Sequence, residues 1–214
     1  MGTGTGVITT ADSATFARCI HADGVAVFPA DTVYGLACDP DAECAVQRLY
    51  ALKGRRPDKP AAVMFFSLDL ALAALHELDR RTRAALERLL PGGVTVLLPN
   101  PARRFPLACG PDPDTLGLRV PALPDSLAPL AAMRWPVLQS SANRAGEPAP
   151  RRLADVPGEI RHGADCVLDG GELPGTASTV VDLRAYAREG RWTVVRKGAV
   201  GEATLVRALD VEAP

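Results

Sequence analysis

No GxxxxGKS/T loop, no GxGxxG between a strand and a helix, no GxSxG elbow and no HExxH helix occurs in the sequence. Those absences exclude the common phosphate-loop, dinucleotide, nucleophile-elbow and zincin routes to chemistry. Cysteine is sparse: Cys19, Cys38, Cys44, Cys109 and Cys166 are odd in number, with no CxxC pair and no Cys/His cluster. That pattern argues against structural zinc and against a disulfide framework, and it reads as free thiols in a reducing compartment. The three histidines, His21, His76 and His162, have no motif partner, so none is assigned to catalysis. An excess of one charge is also missing. The formal net charge is -1, so any surface for nucleic acid must be local. The most apolar stretch, Ala61 to Leu75, is interrupted by Ser67 and Asp69 and is too short to cross a bilayer. The N-terminus lacks the basic flank and apolar core of a signal peptide. A soluble, cytoplasmic protein with no membrane partner is expected.

What remains is ordinary globular composition, 47% apolar and 23% charged over 214 residues, enough for one large α/β domain. Short apolar runs bounded by turn residues predict strands at Val25–Phe28, Ala61–Phe66, Val94–Leu98, Leu116–Val120 and Val137–Gln139. Later ones are predicted at Cys166–Leu168, Ser178–Leu183 and Trp192–Arg196. Helices are predicted after Asp41, over Asp69–Leu75, Asp79–Leu90 and Asp125–Met133, and over Gly201–Leu209. The alternation implies a single α/β domain with a mixed sheet. Residues 1–10 are expected to be a flexible tail, 11–210 the domain, and the end beyond Val211 to fray. Long loops are expected at Asn100–Asp114 and Ala145–Gly158.

Three segments carry chemistry. Lys53-Gly54-Arg55-Arg56-Pro57-Asp58-Lys59-Pro60 puts four cations within seven residues, between a helix and an apolar strand. Such cations either relieve the unpaired carbonyls of the helix end or converge on a polyphosphate. Gly54 and the prolines bend the run into a turn, which favours convergence. Ser140-Ser141-Ala142-Asn143 sits at the carboxyl end of a predicted strand, where α/β sheets hold ligands, and reads equally as a polar turn. Pro29-Ala30-Asp31-Thr32-Val33-Tyr34-Gly35-Leu36 follows the first strand. Its small residues permit close approach of a ligand, Tyr34 offers a ring and a hydroxyl, and Asp31 reads equally as a turn residue. Arg119 lies inside a predicted strand, where an unpaired charge is costly and a bound anion would justify it.

The blocks FPADTVYGL, LYALKGRRPDKP, LLPGGVTVLL, TLGLRVP, SSANRAGEPAP, STVVDL and VVRKG run in order along the chain. Together they resemble the Sua5/YrdC/TsaC family of threonylcarbamoyl-AMP synthases, in its short single-domain form, from about Ala11 to Leu209. The resemblance implies an open, twisted, mixed sheet flanked by helices around a deep basic cavity. It implies synthesis of L-threonylcarbamoyladenylate and pyrophosphate from L-threonine, bicarbonate and ATP, for modification of adenosine 37 of tRNA. By matched position, Lys53 and Arg55 would be catalytic. ATP would be bound by Lys53, Arg55, Lys59, Thr115, Ser141, Asn143, Arg151 and Arg196. Threonine or its carbamate would be bound by Thr32, Tyr34, Met64, Arg119, Ser141 and Ser178, with Tyr34 as a wall. Mg²⁺ would be held mainly by the ATP phosphates, with no protein metal site. The implied partners are a tRNA-modifying complex that receives the adenylate and, as a further ligand, tRNA or double-stranded RNA.

The chain departs from the family pattern in places. Met64 stands where many relatives carry a histidine beside the amino-acid pocket. Ala145 replaces the serine usual in SAN-x-SG, Arg151 replaces a small hydroxyl residue, and Arg56 is an extra cation. These departures leave two alternatives open: a paralogue making a carbamoyl-type adenylate on another amine or amino acid, and a non-catalytic RNA-binding module.

Overall fold

Short apolar strands cannot stand alone, and in this chain they hydrogen-bond into one sheet covered by helices. The computed structural model describes residues 6–56 and 58–210. The strands are β1 Ala26–Pro29, β2 Tyr34–Cys38, β3 Ala62–Met64, β4 Val94–Pro99, β5 Thr115–Arg119, β6 Val137–Ser141, β7 Cys166–Val167, β8 Thr179–Asp182 and β9 Thr193–Arg196. Among the described residues they form a nine-stranded mixed sheet in the order β7-β1-β2-β6-β3-β5-β4-β8-β9. The pairs β1/β7, β3/β5 and β4/β8 are parallel. The remaining five are antiparallel. The expected α/β class with a mixed sheet and flanking helices is what the chain adopts.

Alternation along the central strands separates a core face from a cavity face. On β5, Leu116 and Leu118 are buried in the core, while Thr115, Gly117 and Arg119 face the other way. On β4, Val94, Val96 and Leu98 join the core and Thr95 and Leu97 face the cavity. Register locks the two faces together: Thr95 lies opposite Arg119, and Gly117 lies beside Ala62 and opposite Leu97. Gly117 and Ala62 leave the centre of that face without bulk, and the cavity opens over them.

The helices are α1 Thr10–His21, α2 Glu43–Lys53, α3 Leu68–Ala74, α4 Arg80–Leu89, α5 Pro106–Cys109, α6 Gly158–Gly163, α7 Tyr186–Glu189 and α8 Glu202–Leu209. The predicted strands are all present, within a few residues. Four corrections stand out. First, α1 and β2 were not expected. The capping box between Thr9 and Asp12 starts α1, whose Ser13, Phe16 and Ile20 are buried on one face. Second, the helix expected after Asp41 begins at Glu43 without a side-chain cap, because Ala42, which has no polar side chain, occupies the N-cap position. Third, the helix expected at Asp125–Met133 is a 3-10 helix, Asp125–Ala132, because Pro129 removes a donor within it. Fourth, packing already includes Ile8, within the stretch expected to be a tail. Ile8 is buried and its N–H donates to the Ser126 carbonyl at 2.8 Å. The rest of the expected tail, residues 1–5, and the end expected to fray, 211–214, lie outside the described residues.

One aromatic cluster fastens α1 to the sheet. The Phe16 and Phe28 rings lie 5.1 Å apart, and Phe66 meets both at 5.9 and 6.3 Å. Phe28→Ala should destabilise the protein by about 3–5 kcal/mol, read as a lower midpoint of denaturant unfolding. A change below about 1 kcal/mol would show that α1 does not depend on this cluster.

Candidate active site

The cavity over Gly117 has a volume of about 440 Å³. Arg55, Arg119, Arg184 and Arg196 line it against a single acid, Asp112. A second recess of about 470 Å³ adjoins it, sharing Arg55 and Ser141 and adding Lys53, Arg56, Lys59 and Asn143. Both volumes lie within the usual range for small-ligand sites. Cations of four segments therefore meet in one place, and each is held by a different device.

Lys53 is the last residue of α2, which ends because Gly54 adopts the left-handed conformation, φ 59°. The turn sends Lys53 inward, where only 3% of it is exposed. Its Nζ donates to the Ser141 carbonyl at 2.6 Å and to the Asn143 carbonyl and Oδ1, each at 2.9 Å. The Ser141 hydroxyl lies 3.2 Å away. Burial, and secondarily the charge of Arg55, pull the Lys53 ammonium down to about 8. Asn143 spends its own amide on the carbonyls of Arg144 and Glu147, so the whole Ser-Ser-Ala-Asn turn is built around one ammonium.

Arg55 leans over the Tyr50 ring and donates to the Pro60 carbonyl and, at 3.4 Å, to the Ser140 hydroxyl. Burial lowers its pKa. Arg196, on the outermost strand β9, donates to the Ser178 carbonyl at 2.7 Å. Its pKa is lowered by burial first and then by the charges of Arg119 and Arg55. The Ser178 hydroxyl shares a proton with Thr95 Oγ1 at 2.8 Å. Arg119 is 3% exposed and has a charged partner: its Nη2 donates to the Asp31 carboxylate and, at 2.6 Å, to Thr32 Oγ1.

Of the residues expected to form the site, Arg55, Thr115, Arg119, Ser141, Ser178 and Arg196 line the main cavity. Lys53, Lys59 and Asn143 line the adjoining recess. Thr32 stands behind Arg119 as its hydrogen-bond acceptor. Three expectations are corrected. Tyr34 does not wall the cavity: it is fully buried, and its hydroxyl donates to the Gly171 carbonyl at 2.8 Å while accepting the Gly170 N–H. With Asp169 3.1 Å away, it fastens the 169–171 segment, and burial raises its pKa. Arg151 is exposed and paired with Glu172, which draws it away from the cavity. Met64 lies beside Arg119 in register but is completely buried and does not reach the cavity lining.

Sequence reasoning passed over Thr95, Gln139 and Arg184, and named Asp31 only in its motif and as a turn residue. Asp31 had a readable signal, since a buried arginine within a strand needs a counter-charge and an acid follows the first strand. Arg184 donates to Thr115 Oγ1 at 3.2 Å and is clamped by Asp182, the first cause of its raised pKa. Among the described residues, no group of three or more His, Cys, Asp or Glu side chains is placed to hold a metal ion. Nor is any helix among them long and apolar enough to cross a membrane.

The Sua5/YciO/YrdC family model, described as Telomere recombination, matches residues 18–198. The threonylcarbamoyl-AMP synthase of Chromohalobacter salexigens is 39% identical over 160 residues, which cover 74% of this chain and 85% of that protein. The enzyme of the same name from Pyrococcus abyssi is 31% identical over 160 residues, and the match spans only 47% of its length. The structure of P. abyssi Sua5 complexed with L-threonine matches with a TM-score of 0.82 at 27% identity. That alignment covers 94% of this chain and 58% of the other.

Replacing Lys53 by methionine keeps the apolar stem and removes the ammonium, leaving three oxygens of the 141–143 turn without their donor. Each unmet buried group costs roughly 1–3 kcal/mol, partly offset because no charge is then desolvated. A net loss of about 2 kcal/mol in unfolding free energy is expected. An unchanged unfolding midpoint would show that the turn holds itself.

Proposed function

The chain belongs to the Sua5/YciO/YrdC family, and we propose that its arginine-lined cavity makes L-threonylcarbamoyladenylate. The observation that carries this reading is the convergence of Lys53, Arg55, Arg119 and Arg196 on adjoining cavities. Three of those cations, Lys53, Arg55 and Arg196, are held by neutral oxygens and keep their positive field for a ligand. The relatives' activity and the threonine complex of P. abyssi Sua5 support the assignment.

Threonine and bicarbonate condense to a carbamate with loss of water. A carbamate oxygen then attacks the α-phosphorus of ATP, the bond to the β-phosphate oxygen breaks, and pyrophosphate leaves. ATP enters as its Mg²⁺ complex, with the ion carried on the phosphates. The reaction brings anions together and places more negative charge on the phosphate oxygens as bonds change, so it needs preorganised cations rather than a protein nucleophile. Lys53, Arg55, Lys59 and Arg196 grip the triphosphate, with Lys53 and Arg55 nearest the reacting centre. Thr115, Ser141 and Asn143 orient the nucleotide. Arg119 and Ser178, backed by Thr32 and Thr95, receive the amino acid or its carbamate; Arg119 is the partner for a carboxylate. The product is a reactive anhydride, handed to a cytoplasmic complex that modifies tRNA.

Purified protein given ATP, Mg²⁺, bicarbonate and L-threonine should release pyrophosphate, with the adenylate identified by mass spectrometry. No release above background with threonine would overturn the reading. Other amino acids, tested in turn, address the buried Met64 beside Arg119. Arg196→Ala should lower kcat/KM for ATP by about 10–100-fold, the worth of one charge-assisted hydrogen bond of about 1.5–3 kcal/mol. Because the Lys53 ammonium is present below about 8 and lost above it, activity should fall as pH rises through that value. Lys53→Arg should move the fall to higher pH.

A further inference from the structure

Of Lys53, Arg55, Arg119 and Arg196, Arg119 is the one pinned by a carboxylate, and its pinning is one-sided. Nη2 serves both Asp31 and Thr32 Oγ1. The Nε proton, fully buried, has no hydrogen-bond partner among the described residues. Asp31 is itself fixed: its side chain is 5% exposed, and its second oxygen accepts the Ala122 N–H at 3.2 Å. Thus an acid just after β1, braced against the segment following β5, holds one side of a guanidinium that lines the cavity.

We propose that Asp31 is a positioning residue: it holds Arg119 by Nη2 so that the guanidinium, fixed in the cavity wall, meets the carboxylate or carbamate of the substrate. The role rests on the synthase reading above and deepens it by naming what aims the amino-acid half of the site. Asp31 also offsets repulsion. Arg119 and Arg55 both bear on Arg196, and without a fixed counter-charge the Arg119 head would be pushed off its line. A guanidinium swung away from that line would still be positive, but it would no longer present its donors in the plane of an incoming carboxylate.

The test compares wild-type protein, Asp31→Asn, Asp31→Glu, Arg119→Met and the double variant Asp31→Asn/Arg119→Met. Rates of threonine-dependent pyrophosphate release are measured as functions of threonine and of ATP. Asp31→Asn should raise the KM for threonine at least tenfold with the KM for ATP within about twofold, and Asp31→Glu should restore much of the loss. If Asp31 acts through Arg119, adding Asp31→Asn to Arg119→Met should change the threonine KM no further. The double variant also avoids leaving a buried charge unpaired, so it reports even if Asp31→Asn fails to fold. An unchanged threonine KM in Asp31→Asn, equal losses for ATP and threonine, or additive effects in the double variant would overturn the proposal while the synthase reading stands. A wild-type protein inactive with threonine would overturn both.

Discussion

Like charges have to be held close together before any anion arrives to separate them, and the rest of this site follows from that constraint. Arg55, Arg119 and Arg196 line one cavity and Lys53 the next, and mutual repulsion is felt where Arg119 and Arg55 lower the pKa of Arg196. Carboxylates would hold them most firmly but would also cancel the field that attracts a polyphosphate. The chain uses main-chain carbonyls for three of the four: Ser141 and Asn143 for Lys53, Pro60 for Arg55, and Ser178 for Arg196. A carbonyl dipole orients a cation without neutralising it, so the positive potential survives in the cavity. The exception is Arg119, and it lies in the half of the site that would meet a carboxylate.

The fold supplies those carbonyls in the right places because strands end around the cavity. Ser141 closes β6, Ser178 precedes β8, and Pro60 leads into β3. The same alternation that buries Leu116 and Leu118 turns Gly117 and Arg119 toward the ligand side. Register then sets Thr95 opposite Arg119, within reach of Ser178 on the other side. A one-residue slip of β5 would bury Gly117 in the core and expose Leu118 to the cavity, so the hydrophobic pattern that fixes the fold also fixes the chemistry.

Much of this was legible in the residue order. The apolar runs bounded by turn residues marked eight of the strands, and the cation run and the Ser-Ser-Ala-Asn turn do stand together. What escaped was long-range pairing. β2 was hidden because Tyr34 and Gly35 read as ligand-contacting loop residues, while in the fold they are buried between β1 and β6. Tyr34 offered a ring and a hydroxyl and so looked like a wall, yet Gly170 and Gly171, far along the chain, claim that hydroxyl. Arg151 was aligned with the nucleotide but is exposed and finds Glu172 first. Periodicity reports which face a residue takes; it carries no information about which distant carboxylate reaches a guanidinium.

Asp31 and Arg119 show how such a pairing could have been found. Each alone has an ordinary explanation, a turn acid and a strand arginine. Together they are two buried charges of opposite sign, and leaving either alone would be costly. The pair does not exclude a ligand, because Asp31 and Thr32 engage only Nη2 and Arg119 still lines the cavity. That division separates the two halves of the cavity in physical terms. The Lys53 and Arg55 half is poised by neutral partners and is suited to any polyphosphate. The Arg119 half is aimed by a fixed charge, so under the proposed reading discrimination among amino-acid substrates would belong there.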